Sequence, residues 1–187
     1  MPKRLDLSSA AFAGFSILYP LIALGAMRAF GPGVAIGIII TLLAVRLLVP
    51  FLRGAPIAMS LTLLPVLVAM AAVAAFDRRL SIRLYPVFMN AAMLSAFLST
   101  LWKPPSMAER FARIVEPDLP ESGVRYTRNV TIVWCGFFAL NGAIALWSVL
   151  QPGWTAWLIY NGFIAYLAAG LLFASEYLVR QRVRQRS

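Results

Sequence analysis

"SMAERFARIVEPDLPESGVRYTRNVTIVW", residues 106–134, decides how the rest of the chain is read. It holds four of the seven acids (Glu109, Glu116, Asp118 and Glu121), a run of arginines and two prolines. On both sides lie long apolar stretches. A polar island in that setting is a reaction site, a binding surface, or the connector that lets a membrane chain turn back.

The flanks set the class. Of 187 residues, 61% are hydrophobic and 13% charged, against about a quarter charged in a soluble domain. The charges fall in short clusters between apolar runs of about twenty residues, the length that crosses roughly 30 Å of hydrocarbon as a helix. Strand alternation is absent, so helices are expected to satisfy the backbone. The fold class expected is an all-α integral membrane protein forming a single membrane domain over 1–187. Its six transmembrane helices are expected at about 8–27, 34–52, 57–76, 84–102, 130–150 and 154–179, with a cytoplasmic amphipathic segment over 103–129. The first run follows "MPKRLD" in the manner of a signal peptide, but its length and the spans after it point to a retained helix.

Orientation follows from the basic residues. With the N-terminus cytoplasmic, Lys3, Arg4, Arg46, Arg53, Lys103, Arg110, Arg113, Arg125, Arg128, Arg180, Arg182, Arg184 and Arg186 lie inside. Arg28, Arg78, Arg79 and Arg83 lie outside. Thirteen against four places both termini in the cytoplasm. The five tryptophans fall near the expected helix ends, as an aromatic belt would. The net charge of +10 is then accounted for by this asymmetry and by anionic lipid, and nucleic acid is not an expected partner.

Two absences restrict chemistry. The chain has no histidine and one cysteine, Cys135, set in an apolar run. Most zinc sites, His-ligated haem and His-dependent nucleophilic triads are excluded. No metal, no cofactor and no catalytic residue are expected.

Within the polar island, Ser106 and Glu109 have capping-box spacing after Pro104-Pro105. Met107, Phe111, Ile114 and Val115 fall on one face of a helix that Pro117 ends, with Glu109, Arg110, Arg113 and Glu116 facing elsewhere. Such a helix is expected to lie flat at the membrane surface. "EPDLPESG" follows as an acidic turn. Three uses stay open: a solvated connector, a platform whose Arg110, Arg113, Arg125 and Arg128 contact a lipid headgroup, or an acid–base site using Glu116, Asp118 or Glu121.

Polar groups inside the spans are few. Asn90, Asn141 and Asn161, with Tyr85 and Tyr160, either bond helices together or line a shared polar cavity. Glu176 precedes Arg180 by four residues, the favourable order for a helical ion pair. "GVAIG" at 33–37 permits close helix packing, and "LYPLIALGAM" (18–27) matches "LYPVFMNAAM" (84–93) at five of ten positions, a match expected by chance.

The stretch from "LYPVFMNAAM" through "RFARIVEPDLPESGVRYTRNVTIVWCGFF", with "IYNGFIAYLAAGLLFASEYLVRQRV", resembles a family of bacterial inner-membrane proteins encoded among aryl-polyene and related fatty-acid-type biosynthesis genes. The resemblance covers about residues 84–184, and the earlier spans only in pattern. It implies an inner-membrane location, a setting in envelope-lipid biogenesis, and motif membership for Glu116, Asp118, Arg125, Tyr126, Arg128, Asn141 and Asn161. A fainter similarity links the chain to the intracellular septation protein A family. A ketosynthase label attached to such proteins does not fit a chain without histidine, whose only cysteine is membrane-embedded.

The expected function is therefore non-enzymatic: handling or supporting the synthesis or export of an acyl or polyene-type envelope lipid, with anionic membrane lipids as partners. The alternatives are a membrane scaffold recruiting cytoplasmic biosynthesis or division enzymes, and a membrane acyl- or phospho-transferase.

Overall fold

The computed structural model describes residues 64–184, together with Ala29, Gly31, Gly33, Val34, Ile36, Gly37, Ile38, Ile40 and Thr41. The expected span at 8–27 lies outside the described residues, and those at 34–52 and 57–76 do so in part.

Helix α1 (Leu64–Phe76) and helix α2 (Arg78–Trp102) are separated by Asp77 alone. Asp77 is extended, with φ −144° and ψ 107°, and its carboxylate accepts the Arg79 and Leu80 N–H groups at 2.8 and 3.1 Å. That N-cap satisfies two of the orphan donors at the helix start. The polar stretch "DRRLSIR" is thus one residue of break followed by helix, and α2 begins at Arg78 rather than at residue 84. Pro86 consequently lies inside α2 instead of opening it.

After Lys103 the chain turns through Pro104-Pro105 into α3 (Met107–Val115). Helix α4 (Glu121–Leu150) starts at Glu121, not at residue 130, so "VRYTRN" is helical and the acidic turn is confined to 116–120. Trp134 is therefore not a belt residue at a helix end. It sits well inside α4, buried.

Gly153, at φ +74°, makes the return turn. Helix α5 (Thr155–Ile159), a π-helical turn (Tyr160–Ile164) and α6 (Ala165–Arg184) then follow in one continuous run.

Every described element is helical, and α2, α4 and the Thr155–Gln181 run are long and apolar enough to cross a membrane. Helix α2 alone extends about 37 Å at 1.5 Å per residue. The α2–α4 interface is the most extensive. Near its middle, Phe97, Trp134 and Cys135 form a buried cluster, with Phe137 and Phe138 edge-on around them and Phe173 of α6 at 4.5 Å from the Trp134 ring. A second cluster, Ile36, Val66, Met70 and Ile82, joins α1 and α2. Outward-facing Leu140, Leu146, Phe163, Leu167 and Leu171 are exposed, as lipid-facing positions should be.

Candidate functional site

The expected headgroup platform begins at the start of α3, and two buried threonines hold it. Met107 N–H donates to Thr100 Oγ1 of α2 at 2.9 Å, and Ala108 N–H donates to Thr131 Oγ1 of α4 at 3.1 Å. Each hydroxyl in turn donates to a carbonyl of its own helix, Phe97 O and Thr127 O. Ser106 N–H reaches the Glu109 carboxylate at 3.4 Å, the reverse half of a capping box. The first turn of α3 is thus tied to both neighbouring helices.

This docking changes the expected face. Met107 turns inward against the Phe97–Trp134–Cys135 cluster, and Glu109 is buried at 6% exposure. Ala108 and Ala112 are small enough for α3 to approach α4 closely. Glu109 is compensated there by Arg113, which pairs with it at 2.8 Å. Phe111, Ile114 and Val115, at 53, 70 and 75% exposure, face away from the protein. So the apolar stripe faces outward in its C-terminal part, while its first member, Met107, joins Glu109 on the inward side.

The four arginines differ in what they touch. Arg110 Nε donates to Pro105 O at 2.9 Å, and Arg113 Nη1 to Pro117 O at 2.8 Å. Arg128 Nη1 donates to Leu101 O at 3.0 Å, capping the last turn of α2 from α4. Arg125 is exposed and makes no such contact among the described residues. A guanidinium has five N–H donors, so each of the three engaged arginines keeps donors for an anion. Asp118 and Glu121 are exposed, without the enclosure that acid–base chemistry uses.

In the spans, the structure brings together Asn90, Asn141 and Tyr160. Tyr160 Oη donates to Asn141 Oδ1 at 2.7 Å, Asn141 Nδ2 to Asn90 Oδ1 at 2.9 Å, and Asn90 Nδ2 to Pro86 O at 2.7 Å. Direct bonds therefore join α2, α4 and the π-helical turn. Gly142 lets Asn90 lie close, since a Cβ there would stand 3.1 Å from Asn90 Cβ. Asn161 belongs to a second set: its Nδ2 donates to Ser148 Oγ and to Trp157 O, both at 3.0 Å. Tyr85 packs against the Ile36–Val66–Met70–Ile82 cluster. Asn141→Leu should cost about 1–2 kcal/mol, because Asn90 and Tyr160 lose their shared partner in an apolar setting. Denaturant titration of the detergent-solubilised protein against Leu140→Ala, an exposed control, checks this.

Glu176 is joined through its backbone, whose carbonyl accepts Tyr126 Oη at 3.2 Å. Its carboxylate does not pair with Arg180; among the described residues the ion pair that closes is Glu109–Arg113.

At the opposite end of α2 is an arrangement the sequence analysis passed over. Arg83 Nη2 donates to Ser148 O and Gln151 O at 3.1 and 2.7 Å, neutralising orphan carbonyls at the C-terminus of α4. Its guanidinium lies 5.7 Å from the centre of the Trp154 ring, and Trp157 Nε1–H donates to Arg83 O at 2.8 Å. In the sequence, Arg83 counts only as one charge on the outer side. The signal that could have found it is a basic residue and two tryptophans at ends of spans that meet in space.

No group of three potential metal ligands occurs among the described residues. Comparison with family models, with curated proteins and with solved structures finds no match to the chain.

Proposed function

We propose that the chain is a six-span bacterial inner-membrane protein, with both termini cytoplasmic. It handles an acyl or polyene-type envelope lipid without catalysing its chemistry. Arg110, Arg113, Arg125 and Arg128 contact the anionic head. The observation that carries this reading is the outward face of α3: Phe111, Ile114 and Val115 point away from the protein while Arg113 neutralises Glu109. Such a face is stable when it lies among acyl chains at headgroup depth. The exposed guanidiniums of Arg125 and Arg128, on the adjoining first turns of α4, then stand at phosphate level, where charge-assisted bonds form well.

Native mass spectrometry of the protein in mild detergent, with lipidomics of the co-purifying lipids, tests the assignment. One enriched acyl or polyene lipid is expected, reduced about tenfold when Arg125 and Arg128 are both replaced by Gln, as loss of charged contacts predicts. Bulk phospholipid without dependence on those arginines would sink it.

The second reading, a scaffold for cytoplasmic enzymes, is favoured by one feature. Asp118, on a turn that Arg113 anchors at Pro117 O, and Glu121, at the start of α4, are both exposed. A scaffold would lose a protein partner, and keep its lipid, on Asp118→Asn with Glu121→Gln.

A further inference from the structure

We propose that the cleft beside Arg83, at the opposite end of α2 from α3, is a second binding site, and that its ligand is a zwitterionic aminoalkyl-phosphate group. It uses none of the α3-side arginines, so it stands apart from the headgroup platform.

The cleft has a volume of about 260 Å3 and is lined by Asp77, Arg79, Leu80, Arg83, Gly153 and Trp154. Gly153 adopts φ +74° and has no Cβ, which turns the chain there and leaves the wall low. Arg83 is held by its Nη2 bonds to Ser148 O and Gln151 O and by the Trp154 ring. Among the described residues its Nη1 makes no hydrogen bond, and its Nε is buried without a partner. A guanidinium fixed at one amino group with the other uncommitted is a preorganised anion donor. Arg79 is exposed on the same cleft, and its side chain makes no bond among the described residues. Two cations on one wall suit a phosphate.

Asp77 makes a simple anion a poor fit. Its Oδ1 is occupied by the Arg79 and Leu80 N–H groups, whereas Oδ2 has no partner among the described residues. A carboxylate on the rim repels a bare anion but attracts an ammonium group. A ligand carrying phosphate and ammonium a few bonds apart meets both demands. Trp154 adds an amphipathic ring suited to headgroup depth. The two sources of such a group are a membrane lipid, phosphatidylethanolamine in class, and a soluble aminoalkyl phosphate.

The test is native mass spectrometry of the full chain in nonionic detergent, titrated separately with dioleoyl phosphatidylethanolamine and dioleoyl phosphatidylglycerol. In the Arg125→Gln, Arg128→Gln protein, where the α3-side platform draws the anionic lipid less, phosphatidylethanolamine is expected to bind about fivefold more tightly, the scale of one extra charge contact. Asp77→Asn keeps the helix cap, because asparagine caps as well as aspartate, and should abolish that preference. Arg79→Gln should weaken both lipids. A preference that depends on Asp77 in that background separates this site from the headgroup platform. Competition by O-phosphoethanolamine would identify the headgroup alone as sufficient; binding of the diacyl form only would identify the lipid as the source. Equal affinity for the two lipids, or a preference that survives Asp77→Asn, would overturn the proposal.

Discussion

Trp157→Ala will destabilise the protein by about 3–5 kcal/mol, the usual cost of removing a buried tryptophan. Trp157 is 1% exposed and packs edge-on to Trp154 at 5.5 Å. Its indole N–H donates to Arg83 O, while its own carbonyl accepts Asn161 Nδ2. Removing the ring opens a cavity beside α2 and takes the indole donor away from the Arg83 carbonyl. Trp157→Phe separates the two contributions. It keeps most of the packing, drops only the donor, and should cost about 1–2 kcal/mol. Denaturation in mixed micelles reads both values. An alanine variant indistinguishable from Leu140→Ala would mean that this end of the bundle is not packed as described.

The second large effect is at the other end. Thr100→Val combined with Thr131→Val keeps side-chain shape but removes both acceptors at the start of α3. Met107 and Ala108 N–H groups are then enclosed and unpaired, at about 1–3 kcal/mol each. The loss is local, since α2 and α4 keep their aromatic contacts. The expected result is faster amide hydrogen exchange and proteolysis over 107–116, with exchange in the middle of α4 unchanged. Protection of α3 equal to the parent protein would show that its docking does not depend on the two hydroxyls.

Those threonines mark what could be read from the sequence and what could not. Apolar run length, expected to give spans at 84–102, 130–150 and 154–179, located the three described helices long and apolar enough to cross a membrane, because hydrocarbon thickness sets a minimum that loops cannot meet. It misjudged where the helices start. Arg78–Arg83 and Glu121–Asn129 are helical although polar: Asp77 caps one start, and the Tyr126 hydroxyl ties the other to α6 at Glu176 O, with Thr127 buried beside it. Hydropathy carries no information about such ties.

The helical periodicity of α3 was legible, as was its capping-box spacing. Its orientation was not, since an inward Glu109 is stable only with Arg113 beside it and two alanines against α4. For the intramembrane amides, residue type alone singled out Asn90, Asn141 and Tyr160. Their order as donor and acceptor depends on Gly142 admitting Asn90 and on the π-helical turn presenting Tyr160. Both are properties of packed helices.

The headgroup platform depends on where the outward face of α3 resides, and spin-label accessibility measures that directly. Cys135 is the sole cysteine and is buried, so Cys135→Ala gives a background for single labels at Ile114 and Arg110. In lipid bilayers the label at position 114 should be relaxed by dissolved oxygen and shielded from a water-soluble nickel chelate, with the label at 110 nearer the aqueous phase. A position 114 as open to the chelate as position 110 would take α3 out of the membrane interface and remove the basis for a headgroup platform.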